Sequence, residues 1–403
     1  FKKRAMFSLI PAKDKSKQNV LENYFEYASN KILLRSAVIY GANASGKTNT
    51  LMALSYMKFM VTRSHTFQKD EGIDTDPFLL DPITTNKPSI FDIQFYTNGV
   101  RYAYGFKLDR HKVIEEYLYY WPNDRQRVIF ERVNVNEYKF VTNKAKQNTI
   151  KELTADNILY FSNAFKLNLE LVADAYKWFN NTLKYNNNER GEDVLKLLND
   201  DRDLLKLTIQ ALEIADFGIK EIKIKEEEID NDIIKLFPDE VKEKIKGQKI
   251  YEVRAVHNVL LDDDSPFSAE IDWVDESKGT RKFLGIMVPI LVALQEGNVI
   301  CIDELDVSMH PKLTEYLLSL FHDSHTNKKN AQLIFTTHDT NLLNQGLFRR
   351  DQIWLTEKDS TTGCSDLYSL VELKIRNDEN IEKGYLSGRY GALPFIKGGD
   401  LIG

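Results

Sequence analysis

The chain has 403 residues, 42% of them hydrophobic and 11% aromatic, enough to bury a large core in one big domain or two coupled lobes. Its formal net charge of -6 excludes the bulk positive field by which nucleic-acid proteins gather phosphates indiscriminately, although a local basic groove is compatible with it. The longest apolar run, Phe283 to Leu294, falls short of the roughly 20 residues a bilayer helix needs, and no charged-then-apolar leader opens the chain, so neither membrane insertion nor export is expected.

The first residue is Phe1 rather than Met, so we expect a leading segment to be missing and the first strand to be incomplete. The apolar stretch from Ile32 to Tyr40 predicts a strand, a glycine loop follows at once, and a helical pattern runs from Lys47 to Val61. From Ser89 to Val141, short alternating segments rich in Phe, Tyr, Ile and Val predict an antiparallel β lobe, with Thr97 to Gly99 marking a hairpin turn. Three- and four-residue spacing of Leu, Phe, Trp and Ala from Thr154 to Leu212 predicts a helical lid. Glu226 to Lys249, dense in charge, reads as a solvated helical insertion or as a partner-binding arm. Strand signals return at Ala269 to Val274, Asn298 to Ile302, Gln332 to Thr336 and Gln352 to Glu357, with helical stretches between them, which implies a mainly parallel buried sheet. The expected division is an N-terminal lobe over 1–150, a helical insertion over 151–250 and a C-terminal lobe over 251–403.

Gly41-Ala42-Asn43-Ala44-Ser45-Gly46-Lys47-Thr48 matches the phosphate-loop pattern at every defined position. Its glycines permit backbone angles that aim successive N–H groups at phosphates, at the positive end of a helix. We therefore expect Gly41, Asn43, Ser45, Gly46, Lys47, Thr48 and Asn49 to hold ATP, Lys47 to neutralise the γ-phosphate, and the Thr48 hydroxyl to bind magnesium. The apolar strand Asn298 to Ile302 ends in Asp303 and Glu304. There Asp303 would hold the magnesium shell and Glu304 would polarise the attacking water, unless the pair is a salt-bridge site. His338, after the strand Leu333 to Phe335, would sense the γ-phosphate or serve as a structural histidine. His322 and His325, three apart on an expected helix, read as a solvated face in preference to a metal site. Ser277 and Gly279 precede a helix and read either as an anion site or as a helix cap without a ligand. Cys301, in an apolar strand-like run, and Cys364 show no metal-type pairing; buried or reduced thiols fit a cytoplasmic protein. The tail from Tyr385 to Ile396 caps the sheet or docks a partner.

The order of these motifs, phosphate loop, Ser-x-Gly-Thr before a helix, strand with Asp-Glu, then Thr-His-Asp, resembles the ABC-type ATPases of the SMC, RecF and OLD group over nearly the whole chain. The implied fold is an α/β ABC-type P-loop NTPase with a mainly parallel core sheet, an antiparallel β lobe and a helical insertion. By this resemblance Ser277 and Gly279 look like the signature that reaches across a homodimer to the partner's ATP, although Glu276, Lys278 and Thr280 depart from the common form, and no Gln-loop residue is assignable. Longer strings at Glu276 to Arg281, from Asp303 to Pro311, at Arg349 to Trp354 and at Gly388 to Pro394 are similar to the RloA/AbiL/AriA-like bacterial ATPases of phage defence. Asp306 would then fall in the dimer-facing D-loop.

OLD and Gabija relatives carry a Toprim nuclease, built on spaced acidic residues, after the ATPase, whereas after His338 this chain is expected to have only a short tail, with Asp351, Glu357, Asp359 and Asp366 among its residues. The resemblance thus implies a defence ATPase using ATP and Mg2+ that controls a separate nuclease or toxin effector, with a phage trigger protein as a further partner. The alternative is a RecF- or SMC-like clamp that closes on DNA; a membrane transporter's ATPase subunit ranks last.

Overall fold

The computed structural model describes residues 1–13, 22–28, 31–186, 191–228, 238, 242, 249–344, 346–376 and 379–394. The expected first strand is two strands. β1 (Tyr24–Ala28) pairs antiparallel with β2 (Lys31–Leu34), and beyond Arg35 lies β3 (Ser36–Gly41), buried at every position. Helix α1 (Lys47–Arg63) follows the glycine loop. The antiparallel lobe is a meander of β4 (Ser89–Thr97), β5 (Val100–Leu108), β6 (Val113–Trp121), β7 (Arg127–Asn134) and β8 (Glu137–Phe140), paired in chain order. Its first hairpin turns on Asn98 and Gly99, both at positive φ, as a tight two-residue loop requires.

Next come α2 (Lys144–Glu152), α3 (Tyr160–Lys166), α4 (Ala173–Lys177), a π turn at Trp178–Thr182 and β9 (Leu183–Asn186). They are followed by α5 (Gly191–Asp200), α6 (Arg202–Ile214), β10 (Ile219–Glu228), β11 (Lys249–Leu260), β12 (Pro266–Asp272) and α7 (Lys278–Glu296). The chain closes with β13 (Val299–Ile302), α8 (Pro311–His322), β14 (Gln332–Thr336), β15 (Ile353–Lys358), β16 (Ser365–Ser369) and α9 (Ile381–Leu386). No helix among the described residues is long and apolar enough to cross a membrane.

These elements form two compact units, one of Phe1–Tyr185, Asn298–Asp303 and Gln332–Gly403, the other of Asn186–Gly297 and Glu304–Ala331. The boundaries therefore fall after 185, 297, 303 and 331, where the sequence reading placed them after 150 and 250. In the first unit a six-stranded sheet runs in the order β16-β15-β3-β14-β13-β9. β3 is parallel to both β14 and β15, β13 is parallel to β14, and β16 joins antiparallel at the edge. Strands buried on both faces need continuous apolar runs, and Ala37-Val38-Ile39-Tyr40, Val299 to Ile302 and Leu333 to Phe335 supply them.

In the antiparallel meander the edge strand β4 alternates in exposure, while the central β5 is buried continuously from Tyr102 to Phe106. Phe95 stacks on Trp178 with centroids 4.1 Å apart, and Tyr104 meets Phe161 at 4.7 Å. Two ionisable side chains, Glu116 and Arg132, are built into this core. Glu116 accepts the N–H groups of Tyr160 (2.7 Å) and Phe161 (2.9 Å) at the start of α3, and the Tyr104 hydroxyl at 3.0 Å. Burial pushes its carboxyl up to about 7, against the opposing pull of Arg132 and of these donors.

In the second unit β10-β11-β12 form an antiparallel sheet packed against α5 and α6. This corrects the expected helix at its two ends: Glu226–Glu228 close β10 and Lys249 opens β11, in register Glu228↔Lys249, while most of the residues between lie outside the described ones. The physical reason is cross-strand pairing, Lys249 with Glu226 and Lys223 with Glu270, both at 2.5 Å, which a helical reading of charge density overlooks. Likewise the strand expected at Ala269–Val274 belongs to β12 and pairs antiparallel with β11. His322 is a second correction, since it is buried at the end of α8 and not on a solvated face; His325 lies beyond the helix.

Candidate functional site

β3 ends at Gly41 and α1 starts at Lys47, so residues 42–46 form the loop between a buried strand and a helix N-terminus. Gly46 caps the helix at φ 113, a left-handed angle that a side chain would strain, and contributes no capping side chain. The first-turn N–H groups, which have no intrahelical acceptor, are left to the loop's concave side. Gly41 is needed for a different reason. A Cβ there would lie 2.4 Å from both the carbonyl and hydroxyl oxygens of Thr356 on β15. Thr356 Oγ1 donates to the Tyr40 carbonyl (3.2 Å) and lies 2.6 Å from Ser45 Oγ, so one buried hydroxyl ties the strand end to the middle of the loop. Lys47 is buried and donates to the carbonyls of Gly41 (2.8 Å) and Ala42 (3.2 Å), which holds its ammonium inside the curve of the loop. Asn43, Thr48 and Asn49 are exposed.

Because β13 and β14 run parallel to β3, their C-terminal ends reach the same edge of the sheet as the loop. Asp303 follows β13, and the Thr336 hydroxyl at the end of β14 donates to its Oδ1 at 2.5 Å. Two residues on, His338 lines a cavity of about 230 Å³ together with Gly41, Ala42, Asn43, Thr337 and Thr340. Tyr385, Leu386, Leu393 and Pro394 complete its lining. An alcohol at Thr48 and a carboxylate at Asp303, both at this edge of one unit, are hard oxygen donors of the kind magnesium takes alongside phosphate oxygens and water.

Three further residues named from the sequence belong to the second unit. Glu304 is exposed at φ 51, a left-handed conformation unusual for a non-glycine residue, and its carbonyl accepts the Val307 N–H at 3.3 Å. Ser277 is the N-cap of α7, accepting the Thr280 N–H at 3.0 Å. A Cβ on Gly279 would stand 3.1 Å from the Ser308 carbonyl, a close approach of this helix start to the turn after Glu304.

Residues 36–344 match the family described as "AAA domain, putative AbiEii toxin, Type IV TA system". The chain belongs to that family. The match spans about three quarters of the sequence and takes in the loop, both acidic residues and His338. It makes the protein an AAA-domain chain of the P-loop ATPase class, in a family linked by its description to toxin–antitoxin and abortive-infection systems. No curated protein matches the chain.

Within this AAA domain the structure brings Gly41, Asn43 and His338 to one cavity, with Asp303 held by the neighbouring strand end. Two acidic groups of the tail, Asp351 and Asp359, are occupied otherwise. Asp351 makes a two-point pair with Arg349 (3.0 and 2.7 Å), and Asp359 accepts N–H groups of its own turn. No group of three metal-ligating side chains occurs among the described residues. Cys301 is buried and its thiol is pushed up to about 12 by that burial, as an inert core group.

Sequence reasoning missed Thr356 altogether and gave Thr336 no role. Strand register alone decides that these hydroxyls meet Ser45 and Asp303, through the pairings Thr356↔Gly41 and Thr336↔Ile39. The Arg349-Arg-Asp-Gln string was legible as distinctive, but its work is structural. Gln352 donates to the carbonyl and hydroxyl of Ser36 at the start of β3.

Proposed function

We propose that this AAA-domain chain is an ABC-type ATPase that senses nucleotide state in a bacterial anti-phage defence system and thereby controls a separate nuclease or toxin. One observation carries the reading: the phosphate loop, the Thr336-held Asp303 and His338 converge on one sheet edge. In this reading Gly41, Asn43, Ser45, Gly46, Thr48 and Asn49 hold ATP, Lys47 neutralises the γ-phosphate, and His338 donates to it. Thr48 and Asp303 hold magnesium, which supplies charge neutralisation at the phosphates when bound. Glu304 takes the proton from the attacking water. Ser277 and Gly279 face the ATP of a second copy in a homodimer.

The test is mass spectrometry of what co-purifies with tagged Glu304→Gln protein from its native host, since that variant should stall with ATP bound. A stoichiometric nuclease or toxin supports the reading; DNA with repair factors and no toxin favours a DNA clamp. The family description favours one second reading, that the chain is itself the toxic arm of a pair. Growth arrest on expressing the chain alone, relieved by Lys47→Ala, would select it.

A further inference from the structure

The C-terminal tail was expected to cap the sheet or dock a partner, yet it supplies an apolar wall to the nucleotide-side cavity. Leu386, Leu393 and Pro394 line that cavity together with Gly41 to Asn43 and His338, and the side chains of these three tail residues cannot hydrogen-bond a phosphate. The tail is folded tightly enough to transmit a displacement. It turns through three residues at positive φ, Gly388 (75°), Gly391 (72°) and Ala392 (60°). The Tyr390 ring fills the space over Gly384, where a Cβ would lie 2.2 Å from its hydroxyl. Tyr390 donates to Glu379 (2.8 Å), Arg389 pairs with the same carboxylate, and Tyr368 donates to the Tyr390 carbonyl at 2.7 Å.

One buried side chain joins the tail to both halves of the phosphate edge. Tyr40 directly precedes Gly41, its hydroxyl donates to the Asp339 carbonyl at 2.9 Å, and its ring packs on Tyr385 with centroids 5.7 Å apart. Tyr385 in turn donates to the Ala392 carbonyl at 3.3 Å. A shift at His338-Asp339 therefore moves the Tyr40 hydroxyl, and a shift of Tyr40 moves the tail, because packed side chains answer displacement by moving together.

We infer that Ile381–Pro394 is the output element of the nucleotide site: it walls the γ-phosphate side of the loop and changes its order with the nucleotide bound. This inference rests on the ATP-site reading above. Its consequence for partners is specific, since the surface presented by residues 381–394 would then differ between the triphosphate and diphosphate states.

Hydrogen exchange on the full chain with Mg2+ and ATPγS, with Mg2+ and ADP, and with neither nucleotide tests it. ATPγS is expected to slow exchange at 384–392 by about tenfold relative to ADP, alongside protection of 41–49. Protection at 41–49 with identical tail exchange in all three samples would overturn the inference while leaving the ATP site intact. Absence of protection at 41–49 would remove both. Tyr40→Phe keeps the ring and loses the bond to Asp339, so its tail response should fall to the ADP level; an unchanged response would overturn the route through Tyr40.

Discussion

Replacing Thr336 by valine keeps the buried volume and β shape but removes the hydroxyl that donates to Asp303 Oδ1. A carboxylate whose orientation is fixed by a second group loses about 10- to 100-fold in metal affinity or activity when that group is removed. Thr336→Val should therefore raise the magnesium concentration for half-maximal turnover by about tenfold, and Thr336→Ser should restore it. A magnesium titration that does not move would make Thr336 a packing residue only. Thr336 was visible in the Thr-Thr-His-Asp string, but which threonine faces Asp303 depends on the side-chain alternation of β14, and that is set by its parallel pairing with β13 and β3.

Glu116 gives a second test at the same scale. Its folded-state carboxyl holds a proton up to about pH 7, against an ordinary 4.5. The raised value favours folding fully below about pH 4.5, and that contribution is lost as pH rises through about 7. Between those limits wild type should lose on the order of 3 kcal/mol more unfolding free energy than Glu116→Gln. Parallel urea-unfolding curves for the two proteins across that range would contradict this.

At the scale of elements, α7 contains Pro289, which removes one N–H from the helix ladder and leaves the Gly285 carbonyl to find another donor. Asn186 Nδ2 supplies it at 3.2 Å. The bond is part-buried, so Asn186→Ala should cost about 1 kcal/mol, measured as a shift of the urea midpoint at constant slope. A shift within error would show that solvent replaces Asn186 there. Most elements were readable because their periodicity was clean: the parallel strands as apolar runs, the meander by alternation, and α1 by its spacing. Glu226 to Lys249 was misread at its described ends because the period of two is carried upstream, by buried Ile222 and half-buried Ile224, while its own end residues are charges that pair across strands. Nor was the tail's place at the loop legible, because its contacts join residues more than 300 positions apart.

At the scale of the whole molecule, the acidic composition argues against DNA gathered by bulk charge, and the homodimer proposed above would make association depend on nucleotide. The Glu304→Gln protein should sediment as a dimer or larger with Mg–ATP and as a smaller species with Mg–ADP, and Ser277→Arg should abolish the difference. Identical sedimentation with both nucleotides would remove the sandwiched homodimer from the account. The central claim, that this edge binds and hydrolyses ATP, is tested most directly by measuring ATP turnover and ATP binding together in wild type, Lys47→Ala and Glu304→Gln. The account predicts that Glu304→Gln binds ATP as wild type does but turns it over about 10²- to 10⁴-fold more slowly, and that Lys47→Ala loses binding. Turnover at the wild-type rate in Glu304→Gln would contradict it.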